Sequence, residues 1–266
     1  MTIDRILIYG CGNMGGAMLA GWLRGGFPAR AFTVVDPYLA AAPDGVRLLR
    51  ALPDEAFDAV LLGVKPQMLD EVAPVLAPVI GADCVLMSIL AGVELDSLAA
   101  RFSGAGGLLR IMPNLAAAIG KSPIALFGRG VDGDRGAALA VLMRHLGPVE
   151  WLVSEADFDL VTALSGSGPG FVYRFIEALA EGAAALGLDP AQAERLAIAT
   201  VEGAALLAAS SEYGPAELAR RVASPGGSTQ KGLDVLDHEQ ALKRLVEATL
   251  RAARDRNAEM AAAARG

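Results

Sequence analysis

Cysteine and histidine are nearly absent from this chain of 266 residues, with two of each. Cys11 and Cys84 cannot make a disulfide framework, and neither sits in a CxxC pair of the zinc-binding kind. His145 and His238 lie far apart in sequence. That argues against a histidine metal cluster or a Ser-His-Asp triad, and no metal is expected. Basic clusters are also missing. The net charge is -7, with both signs spread along the chain, which leaves no electrostatic footprint for nucleic acid or an anionic membrane. Uninterrupted apolar runs are missing too. The longest, residues 72–93, is broken by Pro74, Pro78, Gly81 and Asp83, so it reads as helix, turn and strand rather than a membrane span. Residues 6–23 are apolar but punctuated by glycine, and Asp4 offsets Arg5 ahead of them, unlike a secretory leader. The cytoplasm is the expected compartment.

What is present is apolar: 53% of residues, ample for a buried core. In the first half, short apolar runs at 5–9, 32–35, 59–64, 84–89 and 108–112 alternate with helical stretches such as 13–24. The runs do not alternate polar with apolar residues. Strands covered on both faces look like this, and the β-α-β rhythm predicts a doubly wound, mostly parallel sheet. Two more strands, near 124–127 and 149–153, extend it. Beyond residue 154 only helices follow, at 155–164, 169–186, 190–210 and 215–223, then from 229 and from 239 to 264. The fold class is therefore α/β, with a Rossmann domain over 1–154 and an all-helical domain over 155–266.

Gly10-Cys11-Gly12-Asn13-Met14-Gly15 follows the first strand and opens the first helix, which is the G-x-G-x-x-G of a dinucleotide site in its required setting. The helix N-terminus offers N–H groups and a positive dipole end to a pyrophosphate. Asp36 ends the second strand, 21 residues after Gly15, where a carboxylate accepts hydrogen bonds from ribose hydroxyls and repels a 2′-phosphate. The expected cofactor is NADH or NADPH, with NADH favoured. Asp36-Pro37 also suits a simple turn. Val64-Lys65-Pro66-Gln67 closes the third strand at the edge where ligands of such folds sit, although Lys65 also suits a solvated surface position.

Three further stretches, Arg110-Ile111-Met112-Pro113-Asn114, Gly166-Ser167-Gly168-Pro169 and Ser224-Pro225-Gly226-Gly227-Ser228-Thr229, resemble pyrroline-5-carboxylate reductases in order and spacing. The resemblance spans nearly the whole chain, and the last stretch is its most specific part. It implies reduction of the C=N bond of 1-pyrroline-5-carboxylate to L-proline by NAD(P)H. It also implies a helical dimerisation domain and a homodimer, with a larger ring of dimers left open. The chain departs from the family pattern at Leu115-Ala116, where Thr-Pro is usual, and at Gly170, where Ala is usual.

The resemblance implies Gly10, Gly12, Asn13, Met14, Gly15, Asp36, Val64, Lys65, Pro66 and Asn114 as cofactor contacts. It places the substrate on Ser224, Gly226, Gly227, Ser228 and Thr229. Pattern alone makes that last stretch an ordinary turn and N-cap; the resemblance makes its N–H groups a carboxylate anchor. Ser228, Thr229 and Glu155 are the expected catalytic residues, with Thr229 at the ring nitrogen and Glu155 favouring an iminium cation. Two rival readings remain at this stage. One is a dehydrogenase of the 3-hydroxy acid type, which needs a lysine where this chain has Arg174. The other is a non-catalytic dinucleotide sensor, which has no need of residues 224–229.

Overall fold

Short runs whose side chains are covered on both faces become the strands of one eight-stranded sheet. In the computed structural model, which describes residues 3–264, the chain begins β1 (Ile6–Tyr9), α1 (Asn13–Arg24), β2 (Phe32–Val35), β3 (Arg47–Leu49) and β4 (Ala59–Leu62). It continues α2 (Leu69–Leu76), β5 (Val85–Ser88), α3 (Leu95–Arg101), β6 (Gly107–Met112), β7 (Ile124–Arg129), α4 (Gly133–Arg144) and β8 (Val149–Trp151). The strand order is β3-β2-β1-β4-β5-β6-β7-β8. Every neighbouring pair is parallel except β6 and β7. The order reverses direction between β1 and β4, and such switch points open a crevice at the carboxyl edge of the sheet.

Strand periodicity sorts the core into two layers. Ile6 and Ile8 of β1 point to one face, where they join Met18, Leu19 and Trp22 of α1 and Leu139 and Met143 of α4. Leu7 points to the other, with Leu69 and Val72 of α2 and Leu95 and Leu98 of α3. Trp22 stacks on Phe32 at 5.4 Å between centroids, and its indole N–H donates to the Leu142 carbonyl at 3.0 Å. The strand β3, which the hydrophobic pattern did not signal, lies at the sheet edge and is only half-covered.

After β8 the chain is helical: α5 (Phe158–Val161), α6 (Gly168–Ala185), α7 (Pro190–Ser210), α8 (Pro215–Val222), α9 (Ser228–Asp237) and α10 (Ala241–Ala264). The expected helix over 155–164 is instead a 3-10 turn, the short α5 and a π-helical turn over Thr162–Gly166. The chain forms two compact units. One is Met1–Gly166 with Ala253–Gly266, and the other is Ser167–Ala252. Strands give way to helices near residue 154, where the sequence placed its boundary. The segment 155–166 nevertheless belongs to the first unit, because Phe158 packs with Met112 and Ala125 of the sheet.

The helical unit has little core of its own. In α7 only Ala193 and Ala197 are buried, and in α6 no residue is. Phe175, Leu179, Leu196, Leu206 and Leu207 are all exposed. Asp189 caps α7, its Oδ1 accepting the Gln192 N–H at 2.9 Å, with Pro190 in the first turn as the sequence indicated. Among the described residues no helix is long and apolar enough to cross a membrane, and no group of three or more His, Cys, Asp or Glu could hold a metal ion.

Candidate active site

The turn between β1 and α1 has the shape of a phosphate cradle. Gly10 has φ +84°, a left-handed conformation that suits glycine, and a Cβ there would lie 2.9 Å from Val64 Cγ1. A Cβ on Gly15 would lie 2.9 Å from the Gly10 carbonyl oxygen, so the helix could not approach the turn as it does. Gly12 differs: a Cβ there would meet nothing within 4 Å, and the residue is exposed. Gly12 is the N-cap of α1 and supplies no side-chain cap, so the first N–H groups of the helix, from Asn13 and Met14, face open space. Open space, uncapped donors and a glycine that nothing in the protein requires to be small together fit a pyrophosphate.

Asp36 sits beside this turn. Its Oδ2 accepts the Cys11 N–H at 2.8 Å, and its Oδ1 accepts the Tyr38 and Leu39 N–H groups at 2.8 and 3.0 Å. Burial pushes the carboxyl pKa up. The three N–H donors and the nearby Arg50 charge together pull harder, and the pKa lies below its ordinary 3.8. Asp36 is therefore ionised at neutral pH and locks the glycine turn to the end of β2. A carboxylate has about four lone-pair sites, so Oδ2 retains one for a ribose hydroxyl. Cys11 lies under the turn, and burial, then the Asp36 charge, pushes its thiol pKa up to about 11.

At the end of β4, Val64 packs over Gly10, while Lys65 is exposed and its ammonium makes no hydrogen bond or ion pair among the described residues. Asn114, after β6, is buried, and both ends of its amide are hydrogen-bonded. Its Oδ1 accepts the Ala116 N–H at 2.9 Å and its Nδ2 donates to the Ser165 carbonyl at 2.9 Å. That carbonyl lies in the π-helical turn. A Cβ on the adjoining Gly166 would come 3.1 Å from Met112 Sδ. Asn114 thus ties the strand end to the turn that precedes α6.

Glu155 is held by two donors of the protein itself. Its Oε1 accepts from Arg110 Nη1 at 2.7 Å and from the Leu95 N–H at 2.8 Å. Arg110 comes from the middle of β6, is 3% exposed, and lays its guanidinium 3.9 Å from the Phe158 ring centroid. Among the described residues Glu155 is the one salt-bridge partner of this buried cation. The pair joins β6, α3 and the start of α5. The sequence offered one signal for it, a charge inside the apolar run Leu108-Leu109-Arg110-Ile111-Met112, but no signal for the partner.

In the helical unit, residues 224–229 make a turn and a helix start. The Gly227 N–H donates to the Ser224 carbonyl at 2.9 Å, and Gly226 has φ +70°. Gly227 is the N-cap of α9 with no side-chain cap, and the ten-residue helix follows from Ser228. Ser228 and Thr229 are exposed, and their hydroxyls make no hydrogen bond among the described residues. The structure thus brings Ser224, Gly226, Gly227, Ser228 and Thr229 together at one helix end, with the Gly227 N–H spent on the Ser224 carbonyl.

Comparison with known proteins gives a consistent result. A family model described as pyrroline-5-carboxylate reductase dimerisation matches residues 155–260. The chain is 34% identical to a pyrroline-5-carboxylate reductase of Pseudomonas aeruginosa, with 98% of each chain covered. It is 36% identical to one of Glycine max, with 92% of each covered. The solved structure of a pyrroline-5-carboxylate reductase from Coxiella burnetii matches with a TM-score of 0.89 at 30% identity, covering 97% of this chain and 98% of that one.

Proposed function

The chain belongs to the pyrroline-5-carboxylate reductase family, and on that premise we propose that it reduces the C=N bond of 1-pyrroline-5-carboxylate to give L-proline, with NADH preferred over NADPH. The observation that carries the cofactor half of this reading is the open Gly12 cradle over the uncapped end of α1. A bound reduced nicotinamide supplies the hydride. Asn13 and Met14 N–H groups bind the pyrophosphate through the dipole end of α1. Asp36 takes a ribose hydroxyl with its remaining lone pair and disfavours a 2′-phosphate. Val64, Lys65 and Pro66 border the nicotinamide side of the crevice, and Asn114 keeps its neighbouring loop in place.

The helical unit supplies the substrate anchor. N–H groups of Gly226, Ser228 and Thr229 receive the substrate carboxylate, helped by the positive end of α9, while Ser224 and Gly227 hold the turn that aims them. Fixing that carboxylate fixes the face of the ring presented to the hydride, and positioning of this kind is worth on the order of 7–11 kcal/mol in favourable systems. The Thr229 hydroxyl holds the ring nitrogen, with Ser228 beside it. A threonine hydroxyl is a poor acid, so the substrate reacts as its protonated iminium. The hydride adds to the imine carbon, the C=N pair returns to nitrogen, and the proton stays there. Glu155 enters as a positioning residue, through Arg110. The working assembly is a homodimer through the helical unit, located in the cytoplasm; a ring of dimers would show as a higher mass in light scattering.

The test is direct. NADH absorbance should fall on mixing protein, NADH and pyrroline-5-carboxylate, and it should not fall without the imine. No turnover with either cofactor would overturn the reading. Thr229→Val keeps shape and removes the hydroxyl. A hydrogen bond to a charged group is worth about 1.5–3 kcal/mol, so kcat should fall roughly tenfold to a hundredfold while NADH binding is retained. Unchanged kcat in this variant would remove Thr229 from the mechanism.

A further inference from the structure

We propose that Arg50 reads the 2′ position of the adenosine ribose and sets how far the site accepts NADPH beside NADH. The inference rests on the cofactor reading above and goes beyond it by assigning the balance between the two cofactors to a second residue.

The position follows from the sheet. The strand β3 runs parallel to β2 with Val35 opposite Leu49, so Arg50 leaves β3 at the carboxyl edge beside Asp36. Its Nη1 donates to the Asp36 carbonyl and to the Leu39 carbonyl, each at 2.7 Å. Both acceptors are neutral backbone groups, and Arg50 makes no salt bridge among the described residues. Its charge is felt by the Asp36 carboxyl, which it helps to keep ionised.

What Arg50 leaves unused matters more. Both Nη1 hydrogens are spent on the two carbonyls. The Nε–Nη2 edge, which presents two parallel N–H donors, has no partner among the described residues, and the residue is exposed. A planar two-donor edge on a fixed guanidinium matches two oxygens of one phosphate. The two carbonyl bonds orient the plane, so less side-chain freedom is lost when the phosphate arrives.

Asp36 and Arg50 therefore act in opposite directions on the same ligand group. The carboxylate repels a 2′-phosphate and accepts a 2′-hydroxyl, whereas the guanidinium does little for a hydroxyl and attracts a phosphate. With both present the discrimination is graded. Removing Arg50 should sharpen it toward NADH, and removing Asp36 should turn it toward NADPH.

The experiment uses ADP and 2′-phospho-ADP, which differ only in the 2′-phosphate and carry no nicotinamide. Their dissociation constants are measured by calorimetry on the full chain, on Arg50→Gln and on Arg50→Lys. In Arg50→Gln the affinity for 2′-phospho-ADP relative to ADP should fall about tenfold to a hundredfold, the worth of a charged hydrogen-bond pair. The ratio of kcat/KM for NADPH over NADH should fall with it. Arg50→Lys keeps the charge without the fork and should restore part of the ratio. ADP binding in the variants reports that the loop is still formed. A ratio unchanged in Arg50→Gln, or equal losses for both nucleotides, would overturn the proposal and leave Arg50 as a loop anchor. If ADP and 2′-phospho-ADP both fail to bind the unaltered protein, the cofactor reading falls, and this inference falls with it.

Discussion

Removing the Glu155 carboxylate should unfold the sheet end more than it harms the chemistry. The Arg110 guanidinium is almost completely buried in β6. Its Nε is buried without a partner already, so Glu155 Oε1 at 2.7 Å carries most of its compensation. The same oxygen receives the first N–H of α3, from Leu95. Glu155→Ala strands the cation and that N–H together. Removing one partner of a buried pair costs about 3–5 kcal/mol. At roughly 2–4 °C per kcal/mol for a chain of this size class, Tm should drop by about 6–20 °C. Glu155→Gln keeps an acceptor but loses the charge, and about 1.5–3 kcal/mol is expected. Calorimetric melting gives these values. Steady-state rates at 20 °C, well below either transition, separate stability from catalysis. We expect kcat/KM within about threefold of the unaltered protein in Glu155→Gln, with the pH profile in place. A melting temperature unchanged in Glu155→Ala would refute the buried-pair argument. A hundredfold rate loss with a moved pH profile in Glu155→Gln would return Glu155 to the substrate.

Three other outcomes are expected. Gly12→Ala should fold normally, since its Cβ meets nothing, yet bind NADH at least tenfold more weakly by calorimetry; Gly10→Ala should lower Tm, because its φ is left-handed and Val64 stands in the way. Asp36 has a depressed pKa, so its stabilising contribution is complete above 3.8, the value expected in the unfolded chain, and is lost as pH falls through the lower folded value. Tm measured below about pH 4 should therefore drop more steeply than in Asp36→Asn, and equal slopes would contradict the carboxylate lock. Light scattering at low micromolar concentration should give a dimer or a multiple of it, because α6 and α7 leave Phe175, Leu179 and Leu206 uncovered in one copy, and a fully active monomer would defeat that expectation.

The sequence was most legible where local pattern and tertiary role coincide. Residues 13–24 form the expected helix to the residue, because the glycine turn fixes its start and the apolar face of Met18, Leu19 and Trp22 fixes its length. The parallel strands were readable from their unbroken apolar runs. The strand β3 was not, since Arg47 is exposed and Leu48 and Leu49 are only partly covered at an edge. The π-helical turn at 162–166 was hidden because its residues suit an α-helix equally well; its register is held by tertiary contacts, including the Asn114 amide on the Ser165 carbonyl. Glu155 and Arg110 stand 45 positions apart, and no local rule pairs them. Arg50 was passed over because the fingerprint ends at Asp36. The signal available was a basic residue closing the short run Val46-Arg47-Leu48-Leu49-Arg50 just beyond it.

A Rossmann sheet followed by helices does not by itself choose among reductases, so the chemistry must be decided at the helical unit. Oxidising an alcohol requires a group that takes the hydroxyl proton as hydride leaves. A 3-hydroxy acid dehydrogenase would present a lysine on the helix after the Gly166–Gly170 stretch. This chain has Arg174 there, exposed and paired with Glu177 one turn on, and a guanidinium cannot serve as a base. Reducing an imine makes a smaller demand. The proton is already on nitrogen, and the protein has only to hold the ring and its carboxylate while hydride arrives. On the proposed reading, two unpartnered hydroxyls at the uncapped end of α9 fit that task and are poorly suited to general base catalysis. The scarcity of histidine, which first excluded a triad, is thus what an enzyme working on a protonated C=N bond can tolerate.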